Sequence, residues 1–158
     1  MNNTMKNFIY GVLLILSISG CATYVMKTPF NKQDFAEFTK TGTAYINGQA
    51  FLTTRGGEVR YGAGKTVRLI PVTKYTMELH VFYGDRQMRP PSDVNLAQFV
   101  RTAVGNGSGN FAFEEVPAGD YFLECAIYWD VGNERTGSTI RKRVHVDEGI
   151  RGSYILTE

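Results

Sequence analysis

The chain has 158 residues, 43% of them hydrophobic, with 17 basic and 15 acidic side chains and two cysteines. That length suits one domain burying about two thirds of its unfolded surface. A net charge of +2 gives no general attraction to nucleic acid, and no nucleic-acid partner is expected.

The chain opens with Met1 to Asn7, whose only positive charge is Lys6, followed by an apolar run from Phe8 to Ile18. The run is far shorter than the roughly 20 residues a membrane-spanning helix needs. It closes on Ile18-Ser19-Gly20-Cys21. These residues resemble the lipobox of a bacterial lipoprotein signal peptide. The resemblance implies cleavage after residue 20 and diacylglycerol on the Cys21 thiol, with acylation of the new amine. Each buried methylene contributes about 0.8 kcal/mol, so two or three acyl chains anchor stably where one does not. Residue 22 is Ala, not the Asp that retains lipoproteins at the inner membrane. The resemblance thus implies the periplasmic face of an outer membrane, with the membrane reached through lipid on Cys21. Without Lys6 the mature chain is nearly neutral. The remaining thiol, Cys125, would then have no intrachain partner, and its apolar strand suggests burial.

Residues 21–40 read as a lipidated tether. Pro29 and mixed polarity favour a linker, while Asn31 to Phe38 has helical character and Phe30, Phe35 and Phe38 are apolar enough to lie against a domain.

From Thr41 to Glu158 the pattern is short strands with Gly-rich punctuation. Thr43 to Thr53 predicts a strand broken by a turn or bulge at Asn47-Gly48, and Gly56-Gly57 marks a further turn. Strands are expected over Thr66–Val72, Phe99–Val104, Phe111–Glu114, Tyr121–Asp130, Ile140–Val146 and Ser153–Thr157. Gly105 to Asn110 reads as a hairpin loop, because Gly and Asn tolerate positive φ. In the strand from Tyr121, the set Tyr121, Leu123, Cys125, Ile127 and Trp129 is assigned to the core. Phe122, Glu124, Ala126 and Tyr128 are assigned to a less buried face. Tyr75 to Leu96 alternates like a strand in part, yet Tyr75, Leu79 and Phe82 also share a helical face. A helical excursion is expected there, with Asp93 capping a short turn through Ala97. Strands at this spacing indicate an all-β antiparallel sandwich or barrel.

Three stretches stand out together: Ile46 to Ala50, Gly62 to Pro71, and Gly109 to Tyr121 (GNFAFEEVPAGDY). The last matches G-x-F-x-F-x-x-V-P-x-G-x-Y. Together they resemble the carboxypeptidase regulatory-like domains. This resemblance implies a transthyretin-like (prealbumin-like) Greek-key sandwich of about seven strands, here with a helical insert over 74–97. In that family the domain is an accessory module and the peptidase zinc site lies elsewhere, so the resemblance implies no catalytic residue.

The residues themselves offer no catalytic constellation. Gly62-Ala63-Gly64-Lys65-Thr66 lacks the first glycine of a phosphate loop, where Val59 stands, and leads into a strand rather than a helix. His80 and His145 are the only histidines, and no third zinc ligand is evident. Asn106 to Asn110 carries no carboxylate for calcium. Glu114 and Glu115 face opposite ways on a strand, which suits no coupled acid and base. No metal or cofactor is expected, and no enzymatic activity.

Two surfaces are candidates for binding. Arg141, Arg143 and His145 share one strand face, with Arg135 in the preceding loop, and form a basic patch for acidic lipid, glycan or an acidic partner. The alternative for this face is a solvated strand surface that discourages edge pairing. Phe122 and Tyr128 form a candidate aromatic surface for sugar or protein, unless the tether or insert covers it. The leading expectation is a non-catalytic envelope module that binds another protein. The alternatives are a carbohydrate- or peptidoglycan-binding lipoprotein and, by fold analogy alone, a secretion-system accessory lipoprotein.

Overall fold

The computed structural model describes residues 26–85 and 94–158. The signal peptide, Cys21 and the cap expected at Asp93 lie outside the described residues. Among the described residues, eight strands form two four-stranded sheets packed as a sandwich. The all-β class is as expected, with one strand more than anticipated.

The first sheet is built around β1 (Ala44–Thr53). Ala44, Ile46, Ala50 and Leu52 point into the core, and Tyr45, Asn47 and Gln49 point outward, as period-two alternation requires. β1 pairs antiparallel with β5 (Asn110–Val116) on one side and parallel with β8 (Arg151–Leu156) on the other. Its end pairs with the short β2 (Val59–Tyr61). In the second sheet, β3 (Thr66–Pro71) lies between β4 (Arg101–Val104) and β6 (Gly119–Val131), and β6 pairs with β7 (Glu134–Val146), all antiparallel. Ile46, Val67, Leu69, Leu123, Cys125 and Leu156 are among the side chains fully buried between the sheets.

Asn47-Gly48 neither turns nor bulges; it runs straight through β1. A Cβ on Gly48 would lie 2.2 Å from the Tyr154 carbonyl oxygen and 2.6 Å from Phe111 Cζ. Glycine is there for close approach of β8 and an aromatic ring, not for a reversal. The bulge falls elsewhere. Glu115 sits at φ 52°, and the β1–β5 register shifts between Ala44 and Ile46. The two residues between Phe113 and Val116 are therefore the bulge, which keeps Phe111, Phe113 and Val116 all buried.

The segment 105–110 does not close a hairpin within one sheet. β4 and β5 belong to different sheets, so the loop carries the chain across the sandwich. Asn106 Oδ1 accepts from the backbone N–H groups of Ser108 and Asn110, each at 3.0 Å, and fixes the crossing. Pro117 to Asp120 crosses back. There the Tyr121 hydroxyl donates to the Pro117 carbonyl at 2.9 Å. Burial pushes the Tyr121 phenol up to about 12.

The insert is helical, as expected. α1 (Lys74–Asp85) starts at a reciprocal pair, in which the Thr73 N–H donates to Thr76 Oγ1 at 2.8 Å and the Thr76 N–H to Thr73 Oγ1 at 3.2 Å. A 3₁₀ helix, Val94–Phe99, leads into β4, so the strand expected from Phe99 begins at Arg101 instead. A second 3₁₀ helix, Lys32–Thr39, lies in the N-terminal segment, with Asn31 capping it through the Gln33 N–H.

Of the two courses open to the N-terminal segment, its described part lies against the domain. Phe35 is 0% exposed and joins Tyr75, Leu79 and Phe99 in a small cluster separate from the main core. Phe30 stacks on Phe35 at 5.3 Å and meets Tyr75 edge-on. The backbone N–H groups of Lys27 and Thr28 each donate to the Glu78 carboxylate at 2.7 Å, the stronger kind of hydrogen bond. This cluster ties residues 26–39 to α1 and seats the insert.

Candidate functional site

α1 lies over the outer face of the second sheet and leaves a cleft of about 440 Å³ beside it. The floor comes from neighbouring strands: Arg68 on β3, Phe122 and Glu124 on β6, Arg141 on β7. His80 on α1 and Leu96 on the 3₁₀ helix Val94–Phe99 contribute to the wall. Register explains the grouping. Arg68 pairs across with Glu124, and Glu124 with Arg141, so one row of the sheet carries a carboxylate between two guanidiniums.

Glu124 is 7% exposed. Its Oε2 accepts from Arg141 Nε at 2.5 Å, and its Oε1 from Arg68 Nη1 at 3.3 Å. A carboxylate this deep requires such partners, because an unpaired buried charge is strongly unfavourable. The two arginine side chains differ in exposure, at 15% for Arg141 and 47% for Arg68. His80 stacks on Phe122 with ring centroids 4.1 Å apart. Burial, and then the nearby Arg141 charge, hold its imidazole below the usual histidine range, so it is neutral at pH 7.

The aromatic surface is corrected on this ground. Phe122 is only 3% exposed, because α1 places His80 directly on its ring. Glu124 is likewise covered, although it lies on the face expected to be less buried. Tyr128 remains half-buried, but the Arg135 guanidinium lies 4.7 Å over its ring. The two aromatics therefore form no joint platform.

The basic patch is divided. Arg141, Arg143 and His145 do share the outward face of β7, but each meets an acid of β6 or of the following turn. Arg143 Nη2 bonds Asp120 Oδ2 at 2.7 Å, and His145 Nδ1 lies 2.8 Å from Asp120 Oδ1. His145 Nε2 lies 3.4 Å from Asp147. The hydrogen bonds from Arg143 and then His145 hold the Asp120 carboxyl below its usual range, and the Asp120 bond raises the His145 imidazole above its own. Arg135 stands six residues from Arg141 along β7, about 20 Å at the usual strand rise. The face is charge-compensated rather than uniformly basic.

Among the described residues, no three His, Cys, Asp or Glu side chains lie where they could hold a metal ion. Cys125 is fully buried in the core, and burial pushes its thiol up to about 11. Gly62 to Thr66 forms a tight turn, with Gly64 at φ 68° and the Lys65 N–H donating to the Gly62 carbonyl at 3.1 Å.

Arg68, Glu124 and His80 escaped the sequence reading as a group. Glu124 did carry a signal, since a carboxylate between Leu123 and Cys125 in an apolar strand needs a counter-charge. Its partners depend on strand register, which the sequence does not reveal.

No protein-family model matches the chain, and no curated protein matches it. Among solved structures it is similar to a Pseudomonas aeruginosa protein described as a suggested carbohydrate-binding protein. The two share 26% identity at a TM-score of 0.72, over 83% of this chain and 99% of that one.

Proposed function

We propose that this chain is a lipid-anchored, non-catalytic module of the bacterial envelope that binds carbohydrate in the cleft between its second sheet and α1. The cleft carries the reading. Its volume falls within the roughly 300–1,000 Å³ of ligand pockets, and it combines apolar walls with a few fixed polar groups. Saccharides need both: hydrogen-bonding side chains held in place, and apolar surface for the C–H faces of the ring. The similarity to a protein described as carbohydrate-binding supports the same class. The lipobox at Cys21 and the carboxypeptidase regulatory-like motif over Gly109 to Tyr121 support anchoring at the periplasmic face of the outer membrane and an accessory rather than enzymatic role.

The test uses the mature protein extracted from membranes in detergent. Mass spectrometry of its N-terminus is expected to find acylated Cys21, and an array of envelope polysaccharides and peptidoglycan fragments is expected to retain the protein. An unmodified terminus would overturn the anchor, and no retention by any glycan would overturn the carbohydrate reading. A second reading, binding to an envelope protein, is favoured by Val81 and Val94, which stand exposed on and beside α1. Reproducible cross-linking of one protein to this insert in intact cells, without glycan retention, would favour it instead.

A further inference from the structure

The charges in the cleft go further than the class of ligand. Arg68 and Arg141 supply two fixed positive charges and Glu124 one negative, while His80 is neutral at pH 7. Among the described residues that line the cleft, positive charges outnumber negative ones by one. The three charges are unequally committed. Glu124 takes its close contact, 2.5 Å, from Arg141, the more buried of the two arginines. Arg68 reaches the same carboxylate by a single Nη1 contact at 3.3 Å and leaves nearly half of its side chain accessible. A guanidinium has five N–H donors in a planar fork. Glu124 therefore orients the Arg68 fork without saturating it.

We propose that the cleft selects an acidic saccharide, a sugar bearing a ring carboxylate of the uronic-acid kind, and that Arg68 is the residue that receives the carboxylate. A carboxylate matches the fork in a bidentate geometry that neutral hydroxyls do not reproduce. The apolar wall then faces the ring: Leu79 on α1, Leu96 and Val94 beside it, and Ile70 on β3 all line the same space. Glu124 adds selectivity of a second kind. It repels any anion placed deeper on the floor near Arg141 and confines the ligand's charge to the Arg68 side.

This inference rests on the carbohydrate reading, and the experiment separates the two. The probes are glucuronic-, galacturonic- and mannuronic-acid oligosaccharides, each paired with its methyl ester, which keeps the ring and removes the charge. The mature protein in detergent is titrated calorimetrically against each pair at low and high salt. At least one acid form is expected to bind ten-fold or more tighter than its ester, and added salt is expected to narrow the gap. Arg68→Gln is expected to abolish that preference while a cooperative urea transition is retained, showing that the fold persists with Glu124 still paired to Arg141. Arg135→Gln removes the same charge outside the cleft and is expected to leave binding unchanged. Equal binding of acid and ester would overturn the acidic selectivity and leave carbohydrate binding standing. A preference that survives Arg68→Gln would overturn the assignment to Arg68. Failure of every acid and ester to bind overturns the inference, and the glycan array decides the broader reading separately.

Discussion

Phe35→Ala tests whether the N-terminal segment and the insert form a unit apart from the sandwich. Phe35 is fully buried against Phe99 at 4.6 Å and Phe30 at 5.3 Å between ring centroids. Truncating a buried phenylalanine costs about 3–5 kcal/mol in a core that stays folded. Here the contacts lie in a small cluster distinct from the main core. The loss is therefore capped at whatever free energy holds residues 26–39 and α1 in place, since the segment can detach instead of leaving a cavity. Hydrogen exchange followed by mass spectrometry resolves this. Amides in 74–85 and 94–99 are expected to lose about two decades of protection, the equivalent of roughly 3 kcal/mol. Amides at the centre of β3 and β6 are expected to lose distinctly less. If all these regions lost protection equally, the insert and sandwich would be one cooperative unit and the reasoning would be wrong.

Two further outcomes are expected. Gly48→Ala puts a methyl 2.2 Å from the Tyr154 carbonyl oxygen and should cost about 2–3 kcal/mol in urea unfolding, while Gly107→Ala, which meets nothing within 4 Å, should stay within about 0.5 kcal/mol of the parent. Asp120→Asn should return the His145 imidazole toward its ordinary pKa in an NMR titration, since the Asp120 hydrogen bond is the main cause of its elevation. The signs follow from linkage: a raised histidine contributes stability fully below its unfolded pKa near 6.5 and loses it as pH rises through the higher folded value, whereas the lowered Asp120 contributes above 3.8 and loses it as pH falls through its folded value. An unmoved His145 titration in the variant would refute the pairing.

The strands were legible where alternation was strict and one face was buried. Val67 and Leu69, and Leu123, Cys125 and Ile127, reach the core as their spacing indicates. Glycine was harder to interpret, because it marks both reversals and close approaches. Gly64 serves a turn, whereas Gly48 makes room for β8, and only the tertiary neighbour distinguishes them. The outer face of β6 was misjudged for a related reason. Period two gives the direction of Phe122 and Glu124 but not what lies above them, and His80 of α1 comes from 42 residues before Phe122. The cleft was illegible because its charges come from three strands whose register is set by pairing, and its wall from a helix distant in sequence. The basic residues of β7 were visible in the sequence, but their compensation by Asp120 and Glu124 was not.

The pairing of β8 beside β1 also bears on when the protein can fold. The Gly149 N–H donates to Thr43 Oγ1 across 106 residues, and the parallel ladder that follows it joins the earliest strand to the latest. Contacts so distant in sequence make for slow folding, because the chain entropy must be lost before the contacts form. For a polypeptide threaded through a translocon, as the proposed leader requires, that delay is useful. The first sheet stays incomplete until β8 is available, so under that proposal the chain would resist folding before its export.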